Sequence, residues 1–266
     1  MPFADLGDFC LYYNDVGTDV PNRFPIIWLH GFTLDHRMWR PQVEFFAPGR
    51  RLILPDARGH GCSGITPTGY SRADRVEDLL RLADILKIER FHLVGLSMGG
   101  STAVGFALKY PDRLNSLSLL STGVAGYGAG KKIDRLDVIG RNEGAEAAKA
   151  KWMEWALAWY QEPARAHIGM FMQEMIEQYS GAVWADPMRG KYPREFDLER
   201  VHTIKTPTLI IAGALDRIFV PLARTLHDKI SSSQLIVYPG IGHMVNLEYP
   251  DQLNADLKVF LEGLSQ

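Results

Sequence analysis

Apolar and polar positions along the chain follow two rhythms. From residue 24 to about 122, short apolar runs rich in β-branched residues alternate with stretches of helical periodicity, the pattern of βαβ units around a parallel sheet. The predicted strands are 25–29 (PIIWL), 51–54 (RLIL), 91–95 (FHLVG) and 115–120 (NSLSLL). Their near-continuous apolarity suits strands covered on both faces. Between them Val76, Leu79, Leu80, Ala83 and Leu86 recur at helical spacing, as do Ala103, Phe106, Ala107 and Tyr110, with Pro111 stopping the second helix. An earlier run, 9–16, reads as an antiparallel edge strand paired with the segment upstream.

The alternation lapses between Val124 and Glu195, where glycines at 126, 128 and 130 lead into a helical stretch with large side chains. Trp152, Trp155 and Trp159 fall at i, i+3 and i+7, and Ile168, Phe171, Met172, Met175, Ile176 and Tyr179 form a second apolar stripe. The βα rhythm then returns, with strands at 208–212 (TLIIA) and 235–238 (LIVY) and helices at 221–230 and 250–264. The prediction is one α/β core, residues 1–124 and 196–266, interrupted by a helical cap at 125–195.

Composition narrows the function classes. The 266 residues carry 29 basic and 31 acidic side chains, a net charge of −2 with both signs dispersed, so no footprint for nucleic acid or an anionic membrane is expected. No apolar run is long enough to span a bilayer, and residues 1–10 lack the basic start and apolar run of a secretory signal, so a cytoplasmic location is expected. Cys10 and Cys62 have no metal-ligand spacing and predict neither a disulfide framework nor a zinc site; they read as buried or incidental free thiols. The glycines of 59–64 match a dinucleotide-binding spacing but open no helix and read as a loop, so neither cofactor nor metal is expected.

Gly95-Leu96-Ser97-Met98-Gly99 carries the sharpest chemistry. It joins a predicted strand to a predicted helix, and its glycines allow the tight turn that lifts a serine to a helix N-terminus. A serine nucleophile needs a base and a carboxylate to orient it, in the order Ser, Asp, His on this topology. Asp216, in Gly213-Ala214-Leu215-Asp216, and His243, in Gly240-Ile241-Gly242-His243, each follow a predicted strand at the edge where open parallel sheets bind ligands. The oxyanion donors would be the backbone N–H groups of Met98 and of Phe32, the latter in His30-Gly31-Phe32. His36, His92, His167, His202 and His227 lie in predicted elements or the insert without a matching partner pattern. Asp56, in Asp56-Ala57-Arg58-Gly59-His60-Gly61, reads as part of a structured turn.

Together these segments resemble the α/β-hydrolase superfamily over nearly the whole chain. The resemblance implies an eight-stranded, mostly parallel sheet, a helical cap over the site, no cofactor, and Ser97, Asp216 and His243 as catalytic triad. The Gly-Leu-Ser-Met-Gly-Gly form is most similar to small esterases, 3-oxoadipate-type enol-lactonases and cofactor-free perhydrolases. Serine at 97 departs from dehalogenases and epoxide hydrolases, which carry Asp there. Leu96 departs from the Asn usual in C–C hydrolases of meta-cleavage products.

The insert holds four of the six tryptophans and five of the nine methionines. Trp152, Trp155, Trp159, Met172, Met175 and, from the core, Met244 are the candidate lining of an apolar pocket. The expected function is a serine hydrolase of a small-molecule ester or lactone. The alternatives are C–C bond hydrolysis of a vinylogous diketone and a small-ligand receptor of the same fold.

Overall fold

The strands are β1 (Phe3–Asp5), β2 (Cys10–Val16), β3 (Ile26–Leu29), β4 (Leu52–Pro55), β5 (Phe91–Leu96), β6 (Leu114–Leu120), β7 (Thr208–Gly213) and β8 (Ser233–Tyr238). In the computed structural model they form one sheet in the order β1-β2-β4-β3-β5-β6-β7-β8. The β1–β2 and β2–β4 pairs are antiparallel and all others parallel, so the edge pairing expected of residues 9–16 is present. The structure describes residues 2–21, 23–127 and 131–264, without the side chains of 131–134.

The helices are α1 (Arg40–Phe46), α2 (Arg72–Ile85), α3 (Met98–Lys109), α4 (Lys131–Glu143), α5 (Ala145–Leu157), α6 (Ala166–Gln178), α7 (Ala182–Ala185), α8 (Asp197–Arg200), α9 (Phe219–Lys229), α10 (Val245–Glu248) and α11 (Pro250–Glu262). Ser71 caps α2 reciprocally with Asp74, and Pro250 opens α11 at a position where a missing N–H is harmless. None of these helices is long and apolar enough to cross a membrane.

Because side chains of a strand alternate between faces, continuous apolarity here serves two cores. Ile27, Leu93, Leu119 and Ile210 point into a cluster with Val76, Leu79, Val104 and Leu222 of α2, α3 and α9. Their neighbours Trp28, Val94, Leu120 and Ile211 point the other way, against Leu253 and Leu257 of α11 and Met38 and Trp39.

Helices α4–α7 are inserted between β6 and β7. Leu136, Ala148, Tyr179, Ala182, Val183 and Trp184 form a separate apolar cluster there, while Ile168, Met172, Met175 and Ile176 of α6 join the second core cluster. The two ends of the insert meet: Leu198 N–H donates to the Ala125 carbonyl at 3.1 Å, and a Cβ on Gly126 would lie 3.2 Å from Phe196 Cα. Polar contacts fasten the inserted segment to the rest of the chain at several points. Arg37 reaches Glu174 at 3.0 Å and Gln178 at 2.8 Å, Ser180 donates to the Gly59 carbonyl at 2.7 Å, and Arg72 pairs with Glu195.

One expected stripe breaks. α5 ends at Leu157, and residues 158–161 tighten into a 3₁₀ turn ahead of Pro163, so Trp159 leaves the face of Trp152 and Trp155 and is 38% exposed. Both cysteines are free and exposed rather than buried.

Candidate active site

Ser97 sits between β5 and α3 at φ 55 and ψ −108, a backbone region that costs a non-glycine residue about 1–3 kcal/mol. Its surroundings hold it there. Ser97 N–H donates to Leu120 O at 3.1 Å, and Ser97 O accepts from the N–H groups of Ser101 (3.0 Å) and Gly123 (3.2 Å). Gly99 is required by space, since a Cβ there would collide with the Leu29 and His30 carbonyl oxygens.

The register Leu29↔Gly95 sets the loop after β3 beside the serine turn. A Cβ on Gly31 would stand 3.9 Å from Ser97 Cβ, so the loop approaches to van der Waals contact. Among the described residues the backbone N–H groups of Phe32 and Met98 have no hydrogen-bond partner, leaving two donors beside Ser97. The Phe32 ring is gripped edge-on by Trp152, Tyr179 and Trp184 of the cap, at centroid distances of 5.5, 5.9 and 5.3 Å.

The register Gly213↔Tyr238 brings the loops after β7 and β8 side by side. They are stitched by Ala214 N–H to Tyr238 O (2.8 Å) and Leu215 N–H to Ile241 O (2.9 Å), with Gly213 lacking a Cβ that would strike the Gly242 carbonyl. Asp216 Oδ2 then meets His243 Nδ1 at 2.6 Å. The other oxygen, Oδ1, accepts from Ile218 and Phe219 N–H at the start of α9, fixing the carboxylate. The Asp216 side chain is 6% exposed and that of His243 33%, a buried acid beside an imidazole open on one side. Phe219 packs on the imidazole at 4.9 Å, and a Cβ on Gly123, the donor to Ser97 O, would stand 3.8 Å from its ring.

The candidate pocket residues part company. Trp152 lies against Phe32 and Thr33, and Trp155 packs on the cap cluster with Lys151 over its ring. Met172, Met175 and Met244 are buried in the second core cluster, with Trp28, Trp39 and Leu253. Trp159 is 38% exposed and stands apart from Trp152 and Trp155, with Arg165 stacked on it at 4.7 Å and its indole nitrogen toward Glu248 and Gly242.

The histidines need a correction. His36, which no sequence pattern paired, bonds Asp56 Oδ1 through Nδ1 at 2.8 Å. Asp35, His36 and Asp56 have the spacing of a metal-ligand group, but both Asp35 oxygens bind the Arg37 guanidinium and Asp56 accepts the N–H groups of His36 and Cys62. A cation would have to displace these donors, and the cluster serves as the structured turn expected around Asp56. Burial, with the charge of neighbouring His30, holds His60 well below the usual histidine range, and its Nδ1 bonds Arg58 O at 3.1 Å.

Sequence reasoning missed Glu248, a carboxylate 2% exposed that binds the backbone on both sides of His243. Its one sequence signal is an acidic residue five positions after a candidate base. Thr33, at φ 62 beside Phe32, was missed as well.

The family model described as alpha/beta hydrolase fold matches residues 25–250. A 2-hydroxy-6-oxononadienedioate/2-hydroxy-6-oxononatrienedioate hydrolase of Paraburkholderia phymatum is 31% identical over 268 residues, covering 94% of this chain and 90% of its own. Among solved structures, an enol-lactonase from Burkholderia xenovorans aligns at TM-score 0.85 and 25% identity, covering 98% of this chain and 100% of that one. A thermophilic esterase from Thermogutta terrifontis aligns at TM-score 0.83 and 27% identity, covering 99% and 97%. The sheet order, the strained serine turn and these matches lead to one conclusion: this chain belongs to the alpha/beta hydrolase family.

Proposed function

We propose that the protein hydrolyses small carboxylic esters or lactones through an acyl-enzyme. The observation that carries this reading is the 2.6 Å Asp216–His243 hydrogen bond, taken with a serine on a strained turn that has two unpartnered N–H donors. His243 Nε2 takes the Ser97 proton as Oγ attacks the acyl carbon, and the carbonyl electrons move onto oxygen, where Phe32 and Met98 N–H groups receive the charge. Asp216 holds the imidazole by Nδ1–H and stabilises its cationic form. Collapse of the intermediate returns the proton to the leaving alkoxide, or in a lactone to the ring oxygen. Water, deprotonated by the same histidine, then releases the acid and restores Ser97.

The aromatic residues that the cap sets around Phe32 favour neutral, apolar or aromatic substrates of small to medium size. The test is turnover of p-nitrophenyl acetate and butyrate, with a lactone panel, by wild type and Ser97→Ala. Serine-dependent multiple turnover is expected. Failure of all neutral esters and lactones, with turnover of a vinylogous diketone, would replace this reading by C–C hydrolysis, an activity named for the Paraburkholderia relative. Tight binding without turnover would replace it by a receptor.

A further inference from the structure

Glu248 ends the short helix α10, five residues past His243, and its side chain is 2% exposed. Oε2 accepts the Gly242 N–H at 2.9 Å and Oε1 accepts the Met244 N–H at 3.1 Å. One carboxylate therefore binds the N–H groups of the two residues that flank the candidate base. An ionised carboxylate is an acceptor only, with about four lone-pair positions, and burying it is unfavourable unless those positions are filled.

The remaining partners all come from the cap. Tyr160 O–H donates to Oε1 at 3.0 Å, Trp159 Nε1 faces Oε2 at 3.4 Å, and Arg165 Nε stands 3.5 Å away as counter-charge. Arg165 also donates to Gly240 O in the same loop at 3.2 Å, and stacks on Trp159. Gly242 makes room for this convergence, since a Cβ there would lie 2.7 Å from Trp159 Nε1. Burial and then the charge of Glu248 push the Tyr160 phenol up, so it stays a donor. The cap segment that makes these contacts continues directly from α5, whose Trp152 bonds Thr33 beside Phe32 on the other side of the site.

We propose that Glu248 is a positioning residue that ties the seating of cap residues 159–165 to the placement of His243. With the segment seated, the N–H groups on either side of His243, of Gly242 and Met244, are both held. With it displaced, a buried charge loses three of its five partners and the loop loses its anchor. Contacts that a substrate makes with the cap would thus register in kcat as well as in KM. This inference rests on the hydrolase reading above.

The test compares wild type, Glu248→Gln, Tyr160→Phe and the double variant, using p-nitrophenyl butyrate and titration of Ser97 with diethyl p-nitrophenyl phosphate. Gln offers one acceptor oxygen, so either Gly242 or Met244 faces an NH2 group. The expected result for Glu248→Gln is a fall in kcat of about 10-fold or more per titrated site, KM within about 3-fold, full labelling stoichiometry and slower labelling. Tyr160→Phe should fall several-fold in the same direction, and the double variant should fall by less than the product of the two. A merely structural role would lower the labelled fraction while leaving kcat per labelled site unchanged, and that result overturns the proposal. So does wild-type kcat in both single variants. If wild type neither turns over nor labels at Ser97, the hydrolase reading and this inference fall together; if wild type does both, only the inference is at stake.

Discussion

The indole N–H of Trp152 donates to the Thr33 hydroxyl at 2.7 Å, and Thr33 passes its own proton to the Phe32 carbonyl at 2.6 Å. Thr33 is β-branched, yet it is held at φ 62, where such a side chain is strongly disfavoured. The Trp152 indole thus helps hold the Phe32–Thr33 peptide, which directly follows the one that carries the Phe32 N–H. Trp152→Phe keeps an aromatic ring against Phe32 and removes only the donor. Steady-state kinetics with p-nitrophenyl butyrate should show kcat about 3- to 10-fold lower, the worth of one neutral hydrogen bond. An unchanged kcat would mean that the loop holds its shape without the cap.

Asp216 does two jobs that one substitution can separate. Its Oδ1 caps the start of α9 while Oδ2 holds His243. Asn retains the cap but cannot stabilise an imidazolium in the same tautomer, so Asp216→Asn should lower kcat about 10⁴-fold with a melting temperature within a few degrees of wild type. Asp216→Ala should lose both activity and about 1 kcal/mol of stability from the cap. Equal melting temperatures for the two variants would show that the Oδ1 contacts contribute nothing.

Stability should respond to pH through His36. Burial disfavours its charged form, but the hydrogen bond and charge of Asp56, with the charge of Asp35, outweigh burial and raise its pKa above 6.5. A raised folded-state value means that the pair's contribution is fully present below pH 6.5 and fades as pH rises through the folded-state pKa. Urea unfolding of wild type and His36→Gln should differ by about 1 kcal/mol near pH 5.5 and converge at alkaline pH. A gap that widened with pH would reverse the assignment.

His92 acts in the opposite sense. Burial first, then the charges of Arg50 and Arg90, lower its pKa to about 3, and Nδ1 bonds Ser116 Oγ at 2.7 Å. The unfolded chain takes up a proton below about pH 6.5 while the folded chain does not, so stability is present above that pH and falls on acidification. Between pH 6.5 and 5 the loss is about 2 kcal/mol from this residue, at about 1.4 kcal/mol per pH unit. His92→Asn should flatten the acid limb of the unfolding curve by about that amount, and an unaltered limb would place the effect elsewhere.

The parts of the site that the sequence announced are those written locally. Ser97, Asp216 and His243 each follow a short apolar strand and are set off by glycines, because the backbone must turn or approach another chain there. The central strands were legible because burial on both faces leaves short, mostly apolar runs. What escaped notice is made through space. Glu248 depends on donors from residues 159–165, and Asp56 lies 20 residues from His36 on another strand loop. Trp159 was misplaced because a 3.6-residue period presumes an unbroken helix, and α5 tightens two residues before it.

The hydrogen bond from Leu198 to Ala125 pins together the points where the chain leaves and rejoins the sheet. The insert is tied again through Arg37, Ser180 and the α6 side chains in the second core cluster, with Ser97 encoded before the closure and Asp216 and His243 after it. A replacement segment therefore leaves the strands unaltered when its ends meet at the same spacing and its side chains refill the places of α6 in the core. A further condition is a donor for Glu248, so a graft that fills the core but omits that donor should fold while turning over slowly.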